Sequence, residues 1–260
     1  MMSLRGPAPR GRGRRALHCG LGLLCLWGVN EARAAPDPGI NLSRSRLVFS
    51  QKDTSASLTL TNNTDSTYLM QSRVREVNAA TGTPVDWDAS GTPTFLVVPP
   101  LVRMAPGAAQ AFRILRTQAP LPRDRESVFF VSAKAIPSVA PAPAGTGARL
   151  VFAVASNIKL FYRPSGLPEG GVGEAVKALR FHRANAALVM ENPTPFYISF
   201  ASIKVNGIAL PATALQAMAP PLSEHQWTLP PGVKPGGGVV QWQAFDEQGI
   251  ATPPEQATLR

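Results

Sequence analysis

The chain predicts an all-β protein, an immunoglobulin-like β-sandwich followed by a smaller β-sandwich, and three observations carry the first part of that prediction. Short apolar or alternating runs recur between residues 40 and 162, turn residues punctuate them, and no long stretch shows the 3.6-residue period of a helix. A second series of short β-type runs follows a Gly/Pro-rich break at 163–173.

The first 34 residues stand outside this pattern. Arg5, Arg10, Arg12, Arg14 and Arg15 form a basic leader, an apolar run of fourteen residues follows at 16–29, and Ala32-Arg33-Ala34 precedes Ala35. This order is that of a secretory signal with cleavage after Ala34, and the apolar run is short for a membrane span. The leader holds six of the 26 basic residues and one of the 16 acidic ones, so the mature chain carries +5 rather than +10. With no Lys/Arg cluster interleaved with aromatics, that charge does not point to nucleic acid. Both cysteines, Cys19 and Cys25, also lie in the leader. The mature chain therefore has no disulfide, no cysteine metal site and no thiol nucleophile, and its 226 residues suffice for two ordinary cores.

In the first domain, expected over 35–163, strands are predicted at 40–49, 56–61, 68–77, 95–98, 110–116, 127–136 and 150–162. Between them lie "NNTD" at 62–65, "ATGTP" at 80–84 and "APG" at 105–107. The Pro/Ala/Gly-rich run at 137–148 predicts a loop between the sixth and seventh strands. Residues 164–173 read as the linker. The second domain, 174–260, predicts strands at 178–182, 187–191, 197–205, 226–229 and 239–245.

Common catalytic constellations are missing. His182 and His225 are the only histidines beyond the leader and have no metal-site spacing, and no G-x-S-x-G elbow occurs. "GGVG" at 170–173 and "GGG" at 236–238 lack the helix, lysine and Ser/Thr of a phosphate loop and read as turns. No enzyme activity, metal, cofactor or nucleotide is expected.

The informative element is the seventh strand. Leu150, Phe152, Val154, Ser156, Ile158, Leu160 and Tyr162 share one face over about 50 Å of extended chain, where a strand usually has 5–6 residues. One reading keeps Leu150, Phe152 and Val154 in the home core. The other offers this edge to a second protein, which gains a strand by β-augmentation. Lys159, in the middle of the run, either discourages aggregation at an edge or binds a carboxylate by charge-assisted hydrogen bonds of about 1.5–3 kcal/mol each.

Several blocks then identify a family. "NLSRSRLVF" (41–49), "STYLMQS" (66–72), "VVPPLVRMAPGAAQAFRI" (97–114), "DRESVFFVSAKAIP" (124–137), "IKLFYRP" (158–164) and "ENPTPFY" (191–197) resemble, in order, the periplasmic pilus-assembly chaperones. The resemblance implies two immunoglobulin-like β-sandwich domains in an L shape, with a cleft between them. It implies that the long strand lends Leu150, Phe152 and Val154 to a pilus subunit that lacks its last strand. It also implies that Arg46 and Lys159 anchor the subunit's C-terminal carboxylate, and that Glu126, Arg163 and Asp246 form an interdomain ion-pair network. Pro99 and Pro100 match a surface near the outer-membrane usher. Two positions depart from the family: "FDEQG" at 245–249 stands where Asn-Asp-Tyr-Gly is usual, and Thr67 replaces a proline before "YL".

The expected partners are pilus subunits, the usher and, for the free protein, a second copy in a self-capping dimer. Short-loop chaperones, which serve rod-like adhesive pili, are the subclass favoured. A structural pilin or adhesin is the alternative; its usual N-terminal donor extension is here a stub at 36–39. A secreted hydrolase would need the constellation that is missing. Arg46 and Lys159 are expected near water, because two like charges gain nothing from burial without an anion.

Overall fold

Residues 38–78, 81–86, 93–138, 151–234 and 236–259 are described by the computed structural model. The leader and its cleavage site, most of the 137–148 loop, and Leu150 lie outside them.

Among the described residues, nine strands make the first sandwich. They are β1 (Ile40–Leu42), β2 (Arg46–Ser50), β3 (Ala56–Asn62), β4 (Tyr68–Glu76), β5 (Phe95–Val98), β6 (Leu101–Met104), β7 (Ala109–Arg116), β8 (Ser127–Pro137) and β9 (Val154–Arg163). One sheet has the order β1-β3-β7-β5 and the other β2-β9-β8-β4-β6. Alternation along each strand turns one side-chain row inward, and Phe49, Leu58, Leu60, Met70, Phe95, Phe112, Ile114 and Leu160 are fully buried between the sheets. Phe95 meets Phe49 and Phe129 edge-on at 5.2 and 5.1 Å. Each such ring contributes on the order of 2–3 kcal/mol through lost water contact.

The apolar run expected as one strand at 40–49 is two strands in different sheets. Exposed Ser43, Arg44 and Ser45 carry the crossover. The Ser43 N–H donates to the Thr59 carbonyl at 2.9 Å, and the Ser43 hydroxyl accepts from the Thr59 N–H at 3.1 Å. Strand β6 was not expected, because the proline pair before it hides a four-residue edge strand. Pro99 and Pro100 carry the chain from β5 in one sheet to β6 in the other.

The second sandwich opens with a helix, α1 (Gly171–Lys177), and continues with β10 (Arg180–Ala184), β11 (Ala187–Asn192), β12 (Phe200–Val205), β13 (Ile208–Ala209), β14 (Ser223–Thr228), β15 (Gly238–Ala244) and β16 (Glu255–Leu259). Its sheets are β10-β11-β14 and β13-β12-β15-β16. The "GGVG" run, expected as a turn, leads into α1. Gly171 lies so close to Phe196 that a Cβ would overlap the ring, and Val172, Ala175 and Val176 turn into the core. The Trp242 indole N–H donates to the Val176 carbonyl at 3.1 Å, fixing the helix on the sheet. Strand β16 also escaped the sequence pattern, since "EQATL" pairs along a sheet edge and buries only Leu259 fully.

Each sandwich fastens one corner with the same residues. Asn62 donates to the carbonyls of Ser66, Met104 and Ala105 at 2.8, 3.3 and 3.0 Å, while its side-chain oxygen accepts from Thr64. Asn192 donates to Phe196, Ala219 and Pro220 at 2.8, 3.5 and 2.9 Å and accepts from Thr194. A buried asparagine that meets this many backbone carbonyls replaces the ladder bonds missing where a strand turns.

Candidate functional site

Strand β9 owes its exposed edge to the β1–β2 crossover. On one side it pairs antiparallel with β8 throughout, from Ser127↔Tyr162 to Ala135↔Val154. On the other it pairs parallel with β2 only from Arg46↔Lys159 to Ser50↔Arg163. Before Lys159 the chain that would continue β2 has left for the opposite sheet. Among the described strands, none pairs with that edge of β9 over 154–158, which leaves an open lane.

One face of β9 changes surroundings along its length. Ile158, Leu160 and Tyr162 belong to the home core. Val154, where β9 begins later than the expected residue 150, and Phe152, two residues before it, have the same parity but are 66% and 71% exposed. They stand over an open groove of about 240 Å³ whose walls include Ile40, Tyr68, Ala133 and Ala135. The home sandwich therefore does not bury them, which removes the reading in which Phe152 and Val154 are core.

The lane ends at two cations. Arg46 and Lys159 are register partners, and both are half-buried rather than near water. The second sandwich covers them. Lys159 Nζ donates to Ser199 Oγ at 3.0 Å, and Arg46 Nη1 donates to the Phe245 carbonyl at 3.2 Å. The Arg46 guanidinium also lies 5.1 Å from the Phe245 ring centre and 5.9 Å from that of Phe161. Burial, and secondarily Arg46, push the Lys159 ammonium down to about 8. Burial also lowers Arg46, with Asp246 opposing the shift. Two desolvated like charges at the end of an unpaired strand edge would each be stabilised by an anion placed beside them.

Beside this pair, Arg163 joins the two sandwiches. Its Nε and Nη2 reach Glu126 Oε1 at 2.9 and 2.8 Å, and its Nη1 reaches Glu247 Oε1 at 2.6 Å. The other oxygen of Glu126 accepts the Tyr197 N–H at 2.9 Å. Burial raises the Glu126 carboxyl above its usual range, against the opposing pull of Arg163 and the Tyr197 N–H. The expected third member, Asp246, is not part of this network. Its Oδ1 accepts the N–H groups of Gln248 and Ile250 and shapes the local turn. Counting back from Gly249 places Asp246 at the asparagine of the family pattern and Glu247 at its aspartate, the signal that would have found Glu247. Ser199 and Phe245 had no such signal, since their roles depend on how the sandwiches meet.

Pro99 and Pro100 lie far along the chain from the lane's residues, flanked by Leu96, Val98 and Leu101, which are 46–51% exposed. No group of three or more His, Cys, Asp or Glu side chains among the described residues could hold a metal.

Residues 39–168 match the family model described as "Pili and flagellar-assembly chaperone, PapD N-terminal domain", and residues 174–256 match "Pili assembly chaperone PapD, C-terminal domain". The probable fimbrial chaperone protein ElfD of Escherichia coli K12 is 34% identical over 229 residues, covering 88% of this chain and 90% of that protein. The chaperone protein FimC of the same strain is 32% identical over 236 residues, covering 89% of each. Among solved structures, the E. coli chaperone DraB superposes with a TM-score of 0.69 at 29% identity, covering 85% of this chain and 97% of that one. A structure of Salmonella enterica SafA pilin in complex with the SafB chaperone matches with a TM-score of 0.70 at 27% identity, covering 87% and 99%.

Proposed function

Because the chain belongs to the PapD-like family of pilus-assembly chaperones, and is a fimbrial chaperone of the chaperone–usher type, we propose that the open lane of β9 is where it holds its client. Family membership sets aside the structural pilin alternative. The observation that carries the proposal is the lane itself: an unpaired strand edge with Phe152 and Val154 exposed at one end and Arg46 and Lys159 at the other.

The geometry supports a definite mode of binding. A pilus subunit's last strand enters the lane, its main chain takes up the unpaired groups of β9, and its C-terminal carboxylate meets Arg46 and Lys159. A chain whose end lies at Lys159 must run in the same direction as β9, as β2 does beyond it. Phe152 and Val154, with Leu150 before them, then fill the subunit's open core and complete it with a borrowed strand. No chemical step and no nucleotide is involved. The exposed apolar residues around Pro99 and Pro100 are assigned to the usher, and the leader to export into the periplasm with removal after Ala34.

The test is co-expression in the periplasm with the pilus subunit that co-purifies with the wild-type protein. Lys159→Ala and Arg46→Ala should each lower the yield of complex at least ten-fold while leaving the chaperone folded. Undiminished complex with both variants would remove the anchor from the mechanism.

A further inference from the structure

The turn at 245–249 touches the chain-end anchor at two points, one of them through a residue without a side chain. We propose that Gly249 is a positioning residue for Arg46: the space its missing side chain leaves is taken by Ser45, and the placing of Ser45 sets where Arg46 stands.

The turn is closed on itself. The Asp246 N–H donates to the Ile250 carbonyl at 2.8 Å and the Gly249 N–H to the Asp246 carbonyl at 3.1 Å, while Asp246 Oδ1 takes the N–H groups of Gln248 and Ile250 at 2.9 and 2.8 Å. A turn held by four hydrogen bonds presents its outward groups in fixed places. One is the Phe245 carbonyl, which accepts from Arg46 Nη1. Another is Gly249, at φ +88°, where an added Cβ would overlap the Ser45 hydroxyl and stand 3.6 Å from both Ser45 Cβ and Arg46 Nε. Arg46 Nε is shielded from water and has no hydrogen-bond partner, so on that side the guanidinium depends on the space the turn leaves it.

Ser45 lies in the crossover between β1 and β2, one residue before the register pair at the lane's end. A side chain at 249 would push that crossover, and Arg46 with it, away from Lys159. Alanine is the mild case, because the Ser45 hydroxyl can rotate aside. Asparagine tolerates a positive φ better than other L-residues and adds an amide to a Cβ that already meets the Ser45 hydroxyl, so it separates crowding from backbone strain.

The inference rests on the anchor reading for its biological meaning, and the experiment separates the two. In free protein, the Arg46 Nε–H resonance and the Lys159 titration are followed by NMR in wild type, Gly249→Ala, Gly249→Asn and Gly249→Ala combined with Ser45→Gly. Gly249→Asn should move the Arg46 signal toward that of a solvent-exposed arginine and raise the Lys159 midpoint above 8. Gly249→Ala should do so in part, and Ser45→Gly should restore it. If Gly249→Asn does not fold, Ser45→Leu crowds the same contact with the turn intact and should give the same two shifts. An unchanged signal and midpoint, or no recovery with Ser45→Gly, would overturn the proposal.

In parallel, an alternating valine–threonine peptide is titrated as its free carboxylate and as its C-terminal amide. Wild type should prefer the carboxylate at least ten-fold, and Gly249→Asn should lose that preference. A wild type indifferent to the two peptides, with the NMR shifts as expected, would refute the anchor reading and leave Gly249 as the residue that places Arg46.

Discussion

Lys159 gives the site its pH dependence. Its ammonium titrates near 8 when folded and near 10.5 when unfolded, so between those values the unfolded chain binds more protons. The cost of burying the charge is therefore complete below pH 8 and relieved as pH rises toward 10.5. Lys159→Met should raise the stability of the free protein by about 1–3 kcal/mol at pH 7 and by almost nothing above pH 10.5. Equilibrium urea unfolding at both pH values checks this; a destabilised variant at pH 7 would contradict it. A client carboxylate reverses the balance by favouring the charged form, so capture should take up a proton near pH 8.5 and weaken as pH rises further. Calorimetry in buffers of different ionisation enthalpy reads that proton directly. Asn62 shows a different residue-scale economy, with one amide bonded to three backbone carbonyls. Asn62→Ala should cost about 1–3 kcal/mol, because three bonds that close the corner are lost and the one to Met104 is buried.

Among the elements, β9 was the most legible and β1, β6 and α1 the least. The period-two row from Phe152 to Tyr162 and the lysine within it are local facts, and they marked the strand before its neighbours were known. The row did not reveal that its two ends serve different cores, because that depends on where β1 leaves the sheet. Three exposed polar residues, Ser43, Arg44 and Ser45, make that departure, and their sequence looks like an ordinary irregularity in a strand. Helix α1 was missed because its glycines signal a turn; it forms because Phe196 and Trp242 hold it from outside. Arg46, Glu126 and Arg163 were singled out by family resemblance and Lys159 first by its place in the run, whereas Glu247 needed the motif counted residue by residue. The divided strand makes a clear prediction. Phe152→Asp should leave the melting temperature within about 2 °C of wild type, since the ring is outside the home core, yet abolish capture by forcing a charge into an apolar groove. Leu160→Asp on the same row should fail to fold. Equal behaviour of the two variants would refute the division.

At the scale of the whole molecule, Arg163 links sandwiches that otherwise have separate cores. Removing one carboxylate from a buried pair costs about 3–5 kcal/mol when the remaining charge is left uncompensated. Glu247→Ala leaves Glu126 with Arg163, so its effect should be smaller than that of Glu126→Ala. Both should turn one calorimetric unfolding transition into two, as the sandwiches uncouple. Asp246→Asn, which keeps an oxygen for the turn, should preserve a single transition. With a client's chain end held at Arg46 and Lys159, the lane would also act as a ruler. From Phe152 to Lys159 is seven residues, about 23 Å of strand, and β2 blocks the far end. A subunit carrying extra residues after its natural terminus would strike Arg46 before its apolar positions came level with Phe152 and Val154. Removing one terminal residue is worse than removing two: a shift of one turns every alternate side chain to the wrong face, and a shift of two returns them. A chaperone of this design would thus sense whether its client had been made to full length, reading odd from even at the last step.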